Sequence, residues 1–152
     1  MKKKQLYYYF ILGFLFILGP MIYGQEDEIV LTASEKELFD KNLDNEKAEV
    51  SNDSEYDIVI MDIGFNQWLT RIAQPKGYYT QSYMENRNSI YVLEWNRRVL
   101  DPYSFDPQLY ELQINYEFGV DYGYDVNYQL YNYFIYFQRR YKQRLGPFLP
   151  RI

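Results

Sequence analysis

The 152-residue chain contains no cysteine and no histidine. Those two absences exclude disulfide frameworks, thiolate nucleophiles, haem and zinc sites built on Cys or His, and every His-based triad. A general base acting near neutral pH would have to be a carboxylate or lysine with a strongly shifted pKa. Glycine (8) and proline (6) are sparse and form no repeat, so Gly/Ser-rich and Pro-rich linkers are missing as well. Only one long hydrophobic run exists, at the N-terminus, and the length accommodates a single domain.

Acid is abundant, but only locally. The net charge is −5, and it is unevenly spread. Residues 1–24 carry +3, residues 25–55 carry eleven acids against three lysines for −8, and residues 56–152 are neutral. The first segment reads as an export signal. Lys2, Lys3 and Lys4 precede the apolar run Leu6 to Leu18, Gly19-Pro20 breaks the helix, and Gly24 offers a small residue for cleavage. An uncleaved anchor is the alternative, since Gln5 to Gln25 holds no charge and is long enough to span a bilayer. Either way the remainder is expected in the periplasm or cell envelope, touching the membrane only through that segment.

Residues 25–55 read as an acidic, mostly disordered tether, because so few apolar side chains cannot offset an ordering cost of about 1–2 kcal/mol per residue. Within it, Ser34 with Glu37 three places on signals a short capped helix. From Tyr56 the composition changes. The expected fold of residues 56–152 is a small α+β domain in the order strand, helix, helix, strand, helix, with a thin sheet packed on helices. The strands are Tyr56 to Asp62, β-branched and apolar, and Tyr110 to Phe118, alternating apolar with polar. The helices are Gly64 to Ala73, about Thr80 to Val99, and one starting at an Asp125 cap with the stripe Val126, Leu130, Tyr133, Phe134, Phe137 and Tyr141. Asn88 interrupts the apolar stripe of the middle helix, and Ile29-Val30-Leu31 is expected to add a third strand.

Candidate chemistry is thin. Asp57, Asp62, Glu85 and Glu94 are acids in apolar surroundings, and Ser82, Ser89 or Ser104 with Lys76 match no nucleophile spacing. Asp121 and Asp125 flank a turn without further oxygen ligands for a cation. Neither a metal nor a cofactor is expected, and the inventory leans against an enzyme. The cluster Arg139, Arg140, Lys142 and Arg144 is a basic patch that also complements a helix C-terminus. A second role for it is to attract the acidic tether, most strongly at low salt. Export argues against nucleic acid.

The blocks YDIVIMDIGFNQWL (56–69), YYTQSYMENRNSIYVLEWNRRV (78–99) and DYGYDVNYQLYNYFIYFQRRY (121–141) resemble those of a family of short exported Bacteroidota proteins classed only as a domain of unknown function. The resemblance implies export and one compact domain, and supplies no activity or site residue.

Aromatics are the remaining excess. Fifteen tyrosines, six phenylalanines and two tryptophans fall within residues 56–152. The tyrosines that do not fit core stripes mark a candidate binding face: Tyr78, Tyr79, Tyr83, Tyr122, Tyr124, Tyr128, Tyr131 and Tyr136. The expected function is a protein-interaction or structural module of the envelope, with a glycan-binding module as the alternative. A flat aromatic patch would favour protein contact and a shallow groove with spaced aromatics would favour glycan. A closed pocket with two buried carboxylates would favour catalysis.

Overall fold

A computed structural model describes residues 28–41 and 64–152. Four helices follow one another: α1 (Ala33–Lys41), α2 (Phe65–Arg71), α3 (Gln81–Val99) and α4 (Gly123–Arg140). Among the described residues there is no strand and hence no sheet, so the expected α+β class is wrong and the domain is helical. The expected strand at 56–62 lies outside the described residues.

The error at Tyr110 to Phe118 has a specific cause. The segment is irregular, bent at Tyr110 and Leu112 and turning at Phe118, and its main chain at Leu112 and Ile114 is satisfied by α3 side chains. The Asn96 amide donates to the Ile114 carbonyl (2.9 Å) and accepts from the Ile114 N–H (2.8 Å). Trp95 Nε1 donates to the Leu112 carbonyl (2.9 Å). An asparagine side chain thus supplies the donor and acceptor that a neighbouring strand would have given. The alternation is only partly used, since Tyr110 is buried while Leu112 and Phe118 are 74% and 82% exposed. Ile29-Val30-Leu31 forms no strand either, and its carbonyls at Ile29 and Val30 accept from Lys142 and Arg139.

α3 and α4 pack along each other, with α2 on α4 and α1 on α2. α3 starts where Thr80 Oγ1 accepts from the Tyr83 N–H (3.2 Å), the N-cap arrangement that relieves an orphan helix donor. α4 is buried around most of its circumference, the pattern of a central helix. Its polar residues are buried too, and several satisfy themselves: Asn127, Asn132 and Gln138 each donate to the carbonyl four residues back. Asn88, which breaks the α3 stripe, is fully buried against α4 and donates to the Asn127 carbonyl and side-chain oxygen (3.1 Å each). Aromatic edges fill the rest. Trp95 meets Phe137 at 4.7 Å and 63°, and Tyr136 takes Phe65 and Trp68 edge-on. Truncating fully buried Phe134 to Ala is expected to cost about 3–5 kcal/mol.

Residues 28–41 of the acidic stretch belong to this core, and residues 42–55 lie outside the described residues. The cap of α1 is Thr32, not Ser34. Thr32 Oγ1 accepts from the Glu35 N–H (3.2 Å) while Glu35 Oε2 accepts from the Thr32 N–H (2.8 Å), a reciprocal capping box. α2 ends at Arg71, and α4 begins two residues before Asp125, at Gly123 with φ 79°. Asp121 accepts from the Gly123 N–H (2.9 Å), and Asp125 instead pairs with Lys76 (2.6 Å).

Candidate functional site

The fold divides the candidate tyrosines three ways. Tyr136 is fully buried core. Tyr122, Tyr124 and Tyr128 brace loops: Tyr122 accepts from the Glu117 N–H, Tyr124 accepts from the Gly77 N–H and donates to the Tyr79 carbonyl, and Tyr128 donates to the Gln74 carbonyl. Tyr79, Tyr83 and Tyr131 form a cluster, with Tyr79 stacked on Tyr83 (4.9 Å, 10°) and both edge-on to Tyr131 (5.1 and 5.9 Å). Tyr78 lies beside it, 62% exposed and edge-on to Tyr79.

The basic patch is likewise divided. Arg139 is buried and its guanidinium is filled by acceptors. It binds both Glu35 oxygens as a fork, donates to the Pro150 carbonyl (2.8 Å) and to the Val30 carbonyl (3.0 Å). Glu35 also accepts from Trp68 Nε1 (3.3 Å). One ion pair thereby ties the segment before α1, α1 itself, α2, α4 and the C-terminal tail. The attraction expected between acidic stretch and basic patch takes the form of this desolvated pair, which salt screens little. Burial alone would raise the Glu35 pKa. The Arg139 hydrogen bonds and charge, with the Thr32 and Trp68 donors, outweigh burial and hold it below the ordinary glutamate value. Arg140 lies over the Phe39 ring (5.0 Å), and Lys142 donates to the Ile29 carbonyl (2.7 Å). Only Arg144 reaches the tyrosine cluster.

An open groove of 390 Å³ unites these remnants. α3 contributes Tyr83, Arg87 and Tyr91, spaced four residues apart so that they share one face. Tyr79 precedes α3, Tyr131 comes from α4, and the tail adds Arg144, Phe148 and Arg151. No acid among the described residues lines it. Burial raises the pKa of Tyr131 far above the ordinary phenol value, with Tyr79 and Tyr83 adding to the shift. Burial also raises Tyr79 and Tyr91, the latter partly offset by the Arg87 charge. The phenols of Tyr79, Tyr91 and Tyr131 are therefore neutral at physiological pH, and the three guanidinium charges have no counter-charge among the described residues that line the groove.

Arg87 is held by rings alone. Its guanidinium lies 3.2 Å from the Phe148 ring centroid and 5.1 Å from that of Tyr83. Its Nη1 is shielded from solvent without a hydrogen-bond partner among the described residues. Arg87 and Phe148 are not among the residues that the sequence singles out, whereas Arg151 goes with the C-terminal basic patch. The signal available was the four-residue spacing of Tyr83, Arg87 and Tyr91, a cation between aromatics on one helical stripe.

The acids considered for catalysis are otherwise engaged or outside view. Glu94 is held at about pKa 2 by the hydrogen bond from Arg97, against some burial, with Arg98 adding to it. Glu85 and Asp121 both accept from Gln81 (2.8 and 2.7 Å). Asp57 and Asp62 lie outside the described residues. Ser89 donates to the Glu85 carbonyl and Lys76 pairs with Asp125. Among the described residues no three acids converge on a cation position.

No curated protein and no solved structure matches the chain. A family model does match, over residues 20–148, and it spans the acidic stretch, all four helices and the groove-lining turn up to Phe148. The chain belongs to that family, a family of unknown function (DUF6146).

Proposed function

We propose that the chain is an exported carbohydrate-binding module of the cell envelope, using the tyrosine–arginine groove. The observation that carries this reading is the shape and lining of that groove. It is open and 390 Å³ in volume, with the Tyr79–Tyr83–Tyr131 cluster on its wall and no carboxylate among the described residues that line it. Aromatic faces match the C–H surfaces of a sugar ring, and neutral phenols exchange hydrogen bonds with its hydroxyls. A closed pocket with paired acids, which glycoside chemistry would require, is not what these residues build. Export rests on Lys2, Lys3 and Lys4 ahead of the apolar run Leu6 to Leu18.

Affinity electrophoresis of the purified chain through gels containing neutral or acidic polysaccharides tests the binding function. Retardation by at least one polysaccharide, relieved by Tyr83→Ala, is expected. No retardation in any gel, together with a protein cross-linked at Tyr83 in envelope fractions, would overturn it in favour of protein recognition. Mass spectrometry of the chain from envelope fractions tests export. A mature N-terminus at Gln25 is expected, and an intact Met1 would show an anchor instead.

A further inference from the structure

We infer that the saccharide taken by this groove is carboxylated, a uronic-acid type of ring, and that Arg87 receives its carboxylate. This rests on the carbohydrate reading above and narrows it to one class of ligand.

The first argument is the state of Arg87. The Arg87 guanidinium carbon lies over the Phe148 and Tyr83 rings, 3.2 and 5.1 Å from their centroids. Cation–π contacts of this kind hold the group in place without supplying a hydrogen-bond acceptor. Its Nη1 is cut off from water and has no hydrogen-bond partner among the described residues. A guanidinium donor held out of water without a partner is costly. The other deeply placed arginines avoid that cost. Arg139 is filled by Glu35 and two carbonyls, and Arg98 reaches Glu94, the Tyr110 hydroxyl and the Arg144 carbonyl. Arg87 alone among these three lacks an acceptor among the described residues.

The second argument is charge. Arg144 and Arg151 stand in the same groove with Arg87, and no acid among the described residues lines it. Like charges gathered around a low-dielectric concavity favour an anionic occupant and raise its local concentration.

The third argument separates carboxylate from the other anions. A guanidinium fork takes carboxylate and phosphate oxygens alike, so the rest of the lining decides. Among the described residues that lining has no lysine, and the Tyr83 N–H at the start of α3 is already taken by Thr80, so two common elements of phosphate sites are missing. A volume of 390 Å³ far exceeds a bare oxyanion and lies within the ordinary range for small organic ligands. The hydroxyl groups of Tyr79, Tyr83 and Tyr131 call for a body that carries hydroxyls of its own. A peptide terminus fits less well, because such ligands are captured by main-chain pairing at a strand edge or amide nest, and the described residues hold no strand.

Isothermal titration of the full chain with trisaccharides of galacturonate, glucuronate and mannuronate, each beside its methyl ester, tests the inference. At least one acid should bind, and its methyl ester should bind about tenfold or more weakly. Arg87→Lys keeps the charge but removes the planar fork, so it should weaken that acid about tenfold. Sodium sulfate at matched ionic strength should not compete. If every ester binds as tightly as its acid, the carboxylate assignment falls while the carbohydrate reading stands. If neither acids, esters nor neutral polysaccharides bind, the carbohydrate reading itself falls. Competition by sulfate as strong as by the uronate would reduce the site to a general anion sink, and tighter binding of a peptide carboxylate would also overturn the assignment. Because the acid and ester are compared on the unaltered protein, the result does not depend on how a variant folds.

Discussion

Arg139 and Arg87 are both partly or wholly withdrawn from water, yet the protein surrounds them in opposite ways. Arg139 meets a carboxylate and two carbonyls from three parts of the chain. Arg87 meets two aromatic rings and no acceptor among the described residues. The first arrangement is complete without a ligand and acts on stability. In the reading proposed above, a ligand supplies the acceptor that the second lacks. A buried cation is therefore not informative by itself; what its N–H groups face decides its role.

The strongest way to break this contrast is at Arg139. Arg139→Met leaves Glu35 buried and unpaired, and should cost about 3–5 kcal/mol by urea denaturation. Glu35→Leu with Arg139→Met removes both charges and should recover most of that loss, because isolating one partner is worse than replacing the pair. Hydrogen exchange in the single variant should rise in α1 and the tail together, since both hang on this side chain.

Acid titrates the same contact. The Glu35 pKa is depressed in the folded protein, so its stabilisation is complete above the unfolded glutamate value of about 4.5 and is lost as pH falls through the lower folded value. Wild-type stability should decline on acidification below about pH 4.5. Glu35→Gln should start lower and show a shallower decline. An identical pH slope in the two proteins would mean that Glu35 does not govern acid stability.

Arg87 should behave in the opposite sense. Arg87→Met removes cation–π contacts and also an unsatisfied donor, two effects of comparable size and opposite sign, so thermal unfolding should shift stability by no more than about 1 kcal/mol. Saccharide binding should nevertheless be lost. A smaller effect still is expected at Lys142, whose exposed ammonium bonds the Ile29 carbonyl. Lys142→Ala should cost about 0.5 kcal/mol in denaturation, well below its buried neighbour Arg139.

How much of this was legible in the sequence follows from which forces act locally. α2, α3 and α4 were readable because their apolar faces recur at helical spacing and because Thr80 and Asp101-Pro102 bracket α3. Tyr110 to Phe118 was misread because alternation reports which side chains can face a core, not what pairs the backbone. Asn96 and Trp95 do that pairing from α3, and nothing in a residue pattern announces a helix side chain acting as a strand partner. The α1 cap was placed two residues late because Ser34/Glu37 and Thr32/Glu35 share one pattern, and only burial of Glu35 against Arg139 selects the second. At the groove, Tyr79, Tyr83, Tyr131 and Arg144 were foreseen as candidates but in two separate groups. Their union depends on the tail returning past α3, a long-range contact that spacing along the chain does not encode. Arg87 carried a local signal, the Tyr83–Arg87–Tyr91 stripe, and was passed over because a lone arginine on a helix is ordinarily a solvated one.

The most direct measurement is a ¹⁵N side-chain NMR titration of the arginine Nε–H groups with the tightest-binding uronate trisaccharide. The account predicts that the Arg87 resonance moves to saturation while that of Arg139 stays in place, and that the methyl ester leaves Arg87 largely unmoved at the same concentration. An Arg87 resonance indifferent to the bound saccharide, or one moved equally by acid and ester, would contradict it.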